Sequence, residues 1–201
     1  MKELFLFIFF ISYFTYYSFA QQSKIDSLLA VLKTAKDDTN KVNTLNVLSN
    51  KLWRIGDYQN GLQYAKDALL IAKKFSFKKG EANAYNSLGY ILSDQGNYTE
   101  GSKNLFASLK ILEGMGDKKG MASSYINIGT NYWYHGDYSE ALKNYLQALK
   151  FYEEVGNKAG LINSYSGIGL IYANQRNFSD ALMNSYLEIW DGIADGLEIV
   201  S

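Results

Sequence analysis

A 40-residue internal repeat constrains this chain more than any other feature. Gly56-Asp57-Tyr58, Gly96-Asn97-Tyr98, Gly136-Asp137-Tyr138 and Arg176-Asn177-Phe178 follow one another at that step. A second marker keeps the same period: Lys78-Lys79-Gly80, Lys118-Lys119-Gly120, Lys158-Ala159-Gly160. A third is Leu88-Gly89, Ile128-Gly129 and Ile168-Gly169, with Leu48-Ser49 as the degenerate first copy. Such a period means stacked supersecondary units, each unable to bury its apolar face alone.

Each unit reads as two helices. In the third copy Tyr125, Ile128 and Tyr132 share one helical face, and Gly136 suits a left-handed stop. Asp137 is placed to cap the next helix, whose stripe is Ala141, Leu142, Tyr145, Ala148, Leu149 and Tyr152. Gly89, Gly129 and Gly169 fall mid-helix, where Gly costs about 1 kcal/mol against Ala. Their recurrence predicts a close helix crossing, with Gly61, Gly101, Ala141 and Ala181 as the facing small residues. The absence of Pro from all 201 residues agrees with a chain that is helical nearly throughout.

Composition excludes several chemistries. There is no Cys, hence no disulfide, thiolate metal site or Cys nucleophile. One His, His135, leaves no His-based catalytic or metal constellation, so no catalytic residue, no metal and no cofactor is expected. A formal net charge of zero argues against nucleic acid as a partner. The recurring Asp57 and Asp137 read as turn caps, and the recurring lysines at 78, 79, 118, 119 and 158 as a solvated edge.

The third copy carries Ile128-Gly129, Tyr132, Gly136, Tyr138, Ala141, Tyr145 and Ala148, and so resembles the tetratricopeptide repeat family. The likeness covers roughly residues 39 to 185. The period exceeds the family's usual one and the family's closing Pro is missing, so the longer repeat type is the better match. The resemblance implies an all-α fold: a right-handed α-solenoid of antiparallel helix pairs, about four repeats behind an N-terminal lead helix. The expected divisions are 1–20 leader, 21–38 lead helix and turn, repeats at 39–77, 78–117, 118–157 and 158–190, and a degenerate tail at 191–201.

The resemblance also implies a binding surface, because the family's first helices line a concave face. The corresponding positions give a neutral groove rich in amides and aromatics: Asn43, Asn46, Asn50, Trp53, Asn83, Asn86, Tyr90, Asn127, Thr130, Trp133 and Asn163. Asn offers both donor and acceptor, which suits an extended peptide backbone. Some family members clamp a terminal carboxylate with groove lysines; the matching positions here hold Asn, Ser and Tyr. The implied function is non-catalytic binding of another protein or peptide, as an exported scaffold or adaptor. The alternative is a shortened sensor region of a longer bacterial signalling protein.

The ends complete the reading. Met1-Lys2, the apolar run Leu4 to Tyr17 and Ser18-Phe19-Ala20 have the layout of a secretory signal peptide cleaved before Gln21. The mature chain is then expected in the periplasm or outside the cell, without membrane insertion. After Asn184 the pattern decays with no polar cap, and an end-to-end homodimer through that end is the simplest closed form.

Overall fold

The computed structural model describes residues 22–174. The leader, the second half of the fourth repeat, the tail and the homodimer surface lie outside them. Among the described residues every regular element is a helix. They are α1 (22–34), α2 (Thr39–Arg54), α3 (Tyr58–Lys74), α4 (Lys78–Asp94), α5 (Tyr98–Met115), α6 (Lys118–His135), α7 (Tyr138–Glu154) and α8 (Lys158–Asn174). From α2 onward, turns of two or three residues join them, so packed neighbours run antiparallel. The helices of 16 to 18 residues are each about 25 Å long.

The turn chemistry comes directly from the repeat. Asp38, Asp57, Asn97, Asp117 and Asp137 each accept a hydrogen bond from the backbone N–H three residues on, capping α2, α3, α5, α6 and α7. Such caps are worth about 1 kcal/mol each. Gly56, Gly96, Gly116, Gly136 and Gly156 take φ between +64° and +87°, the left-handed conformation that ends a helix.

The chain divides into two compact units, Met1–Ser87 and Leu88–Ser201, with the boundary inside α4. In the first unit, the α1 face bearing Ile25, Leu28, Leu29 and Leu32 packs against Leu48 and Leu52 of α2. A second cluster joins Val42 and Leu45 of α2 to Ala68, Ile71 and Ala72 of α3 and Ala84 of α4. In the second unit, Ala122 of α6 packs with Ala148 and Tyr152 of α7, and Ala141 and Tyr145 pack with Ile171 of α8. Full burial of one such large side chain is worth roughly 1.5–3 kcal/mol.

The mid-helix glycines mark close crossings. A Cβ on Gly89 would lie 3.1 Å from the Gly101 carbonyl oxygen, and one on Gly129 would lie 3.2 Å from that of Ala141. In the first repeat Ser49 replaces the glycine, is fully buried, and donates its hydroxyl to the Gly61 carbonyl at 2.8 Å.

Candidate functional site

The first helices α2, α4, α6 and α8 carry the side chains expected to bind. In the first unit α2 supplies Asn43, Asn46, Asn50 and Trp53, and the N-terminal half of α4 supplies Asn83 and Asn86. Asn43 is exposed; Asn50, Trp53, Asn83 and Asn86 are half-buried. Asn50 Oδ1 accepts from Arg54 Nε at 3.1 Å, and the Arg54 guanidinium lies 6.0 Å over the Trp53 ring. These contacts hold the end of α2 as a polar and aromatic surface.

Asn46 departs from the expected exposed groove position. It is only 8% exposed, and its Nδ2 donates to the Gly80 carbonyl at 3.1 Å. That bond ties α2 to the first turn of α4. The Asn46 Oδ1 is buried without a hydrogen-bond partner. A buried lone acceptor costs about 1–3 kcal/mol.

In the second unit Tyr90 of α4 and Asn127, Thr130 and Trp133 of α6 are half-buried, and Asn163 of α8 is exposed. Thr130 Oγ1 donates to the Ile126 carbonyl at 3.0 Å and lies 3.1 Å from the Tyr145 hydroxyl. One helical turn pair earlier, Ser123 Oγ meets the Tyr152 hydroxyl at 2.9 Å. Two α7 tyrosines therefore reach the α6 face and fix its hydroxyls. Trp133 belongs to the cluster of Tyr145 and Ile171, and its ring is 5.1 Å from that of Tyr134. Its Nε1 donor is buried without a partner.

A buried polar trio escaped the reading of the sequence. Asn131 is 2% exposed, and its Nδ2 donates to Ser102 Oγ at 2.6 Å while its Oδ1 accepts from Ser93 Oγ at 2.6 Å. One repeat later the same three positions are Trp133, Leu142 and Ile171, which pack together as apolar core. The simultaneous polar departure at three positions of one register was the available signal.

His135 is exposed at the end of α6 with its ring edge-on to Tyr98 at 5.6 Å. Among the described residues no three His, Cys, Asp or Glu side chains are grouped to hold a metal ion.

The tetratricopeptide repeat profile matches residues 80–154 and again 120–185, two matches that start one 40-residue period apart. No curated protein matches the chain. Solved structures share the fold. RapI in its apo form is 20% identical at TM-score 0.70, over 86% of this chain and 64% of its own. A Rap protein complexed with competence and sporulation factor is 20% identical at TM-score 0.74, over 87% and 49%. Aspartyl phosphate phosphatase F from Bacillus subtilis is 16% identical at TM-score 0.73, over 91% and 50%. The chain thus spans from about half to under two thirds of the length of these structures.

Proposed function

The chain belongs to the tetratricopeptide repeat family, and from that premise we propose that it binds an extended peptide segment of another protein along the first-helix face. Its fold is that of protein–protein interaction modules. The observation that carries the proposal is the chemistry of that face in the first unit. Asn43 and Asn50 on α2 and Asn83 and Asn86 on α4 supply neutral amides, Trp53 adds an aromatic surface, and Asn46 ties the two helices together. Amides can meet the alternating N–H and C=O groups of a peptide backbone in either direction. A face without lysine at these positions favours an internal segment over a free C-terminal carboxylate. The structure with competence and sporulation factor bound gives a neighbour in complex with a named factor.

The protein acts as a non-catalytic scaffold or adaptor, exported by the leader at residues 1–20. An N-terminus at Gln21 in the purified native protein supports export; an intact Met1 in a soluble cytoplasmic pool overturns it. For binding, a random-peptide phage library is panned on the full chain. Peptides enriched on the wild type should lose about tenfold or more in affinity to Asn50→Ala/Asn83→Ala, since each lost hydrogen bond is worth roughly 0.5–1.5 kcal/mol. Equal binding by the folded double variant places the site elsewhere.

A further inference from the structure

Positive charge is unevenly distributed over a chain whose 20 basic and 20 acidic side chains cancel. The α1–α2 and α3–α4 turns, residues 36–41 and 73–81, hold six lysines against three carboxylates. The two turns touch: Asp37 lies 3.0 Å from Lys41 Nζ and 3.4 Å from Lys74 Nζ. Asp38 caps α2, and Glu81 pairs with Lys78 at 2.8 Å. Each of these carboxylates is engaged locally, and with Lys79 left aside five lysines still outnumber the three carboxylates.

Phe75 stands among these lysines. It caps α3, is 44% exposed, and has Lys74 Nζ 5.4 Å from its ring centroid. Ser76 follows with φ +53°, where the equivalent turns one and two repeats later place Gly116 and Gly156 at φ +64°. The turn therefore combines a projecting aromatic ring with lysines on both sides.

We propose that this turn is a peripheral contact for an anionic lipid surface, with Phe75 entering the headgroup layer and the lysines facing lipid phosphates. Three features favour a lipid surface over other polyanions. The cations are all lysine, which acts as a point charge, whereas geometric phosphate recognition selects arginine. The equivalent later turns carry no such excess: Lys118, Lys119 and Lys158 stand in sequence with Glu113, Asp117, Glu153 and Glu154. A nucleic-acid strand is held along a track of cations and stacking rings, whereas a patch with a raised ring suits an interface. No helix among the described residues is long and apolar enough to cross a membrane, and the contact proposed is peripheral.

The test uses the chain from Gln21 onward with phosphatidylcholine vesicles, with and without phosphatidylglycerol. Sedimentation with the anionic vesicles alone is expected, weakened by added salt. Lys36→Glu/Lys74→Glu should weaken it on the order of a hundredfold, because each surface lysine contributes about 1 kcal/mol. The chain has no cysteine, so Phe75→Cys accepts a single environment-sensitive dye. That dye should brighten and shift blue on anionic vesicles, while the same dye on Leu146→Cys stays unchanged. With each variant folded by circular dichroism, absence of binding, binding indifferent to the lysine reversals, or an unshifted dye at position 75 overturns the proposal. So does capture of polyglutamate in preference to vesicles, which would identify an acidic protein surface as the occupant.

Discussion

Gly129 sits so close to the Tyr145 ring that a Cβ on it would lie 2.9 Å from ring atoms Cδ1 and Cε1. The same ring blocks a Cβ on Gly167, at 2.7 Å, so one tyrosine of α7 fills the space left by glycines on two first helices. The glycine register and the buried tyrosine are a single packing device.

Gly-to-Ala changes should therefore have opposite signs at two sites. Gly114, in α5, has nothing within 4 Å of an added Cβ. Gly114→Ala should stabilise by about 0.5–1 kcal/mol through helix propensity. At Gly129 the Ala141 carbonyl oxygen 3.2 Å away is backbone and cannot rotate aside. Gly129→Ala should destabilise, and Gly129→Leu should cost about 1–3 kcal/mol or more by overpacking. Urea denaturation of the three variants tests this; stabilisation by Gly129→Ala would remove the close crossing from the account.

The Ser93–Asn131–Ser102 trio predicts coupling. Asn131→Ile takes the hydrogen-bond partner from Ser102 and leaves its hydroxyl against apolar surface, at a cost of about 1–3 kcal/mol. Ser102→Leu in the same chain should recover part of that loss, since Leu142 and Ile171 pack together one repeat later. A double-mutant cycle should show a favourable coupling of roughly 0.5–3 kcal/mol. Simple additivity would mean that the three groups do not act as a network.

The fold was legible because its signals are local and repeated. Cap Asp or Asn, stop Gly and the apolar stripe each recur at one period, and each dictates backbone geometry by itself. The site was less legible, because helix periodicity gives a direction but not the height of the neighbouring helix. Asn43 and Asn46 differ by three residues on α2, yet Asn43 is exposed while Asn46 is covered by the α4 backbone at Gly80. Asn131 occupies the register of Ile91 and Ile171 and is buried like them, but only its distant partners Ser93 and Ser102 make it affordable there.

Stability should fall at alkaline pH through Tyr145. Burial holds its phenol above the ordinary value of 10.0, against a smaller opposing effect of its hydrogen bond to Thr130. The raised group keeps its proton in the folded chain when the unfolded chain has released it. Its contribution is therefore whole below pH 10 and is lost as pH rises through the folded value. Tyr145→Phe should lower stability at neutral pH by about 0.5–1.5 kcal/mol through the lost Thr130 contact, and flatten the alkaline decline. Urea midpoints measured on both sides of the tyrosine range check this. An identical alkaline slope in the variant would assign the decline to other tyrosines.

Ser76 offers the reverse experiment, a gain of stability beside a surface proposed to function. Its φ of +53° is the left-handed region, which costs an L-residue with a Cβ about 1–2 kcal/mol. Glycine avoids that cost but gives up more entropy on folding, so the net gain from Ser76→Gly should be about 0.5–1 kcal/mol. In a domain of this size that corresponds to a rise in Tm of roughly 2 °C. Gly116 and Gly156 already stand at the equivalent turns with φ +64°, so the backbone accepts the change without rearrangement. Calorimetry of Ser76→Gly should show the increase, and Ser76→Val should show a larger decrease because a branched Cβ crowds the left-handed turn. The lysines and Phe75 are untouched by the substitution, so vesicle binding should persist in Ser76→Gly. Loss of binding in a more stable variant would mean that the Ser76 hydroxyl itself contacts the lipid phosphates.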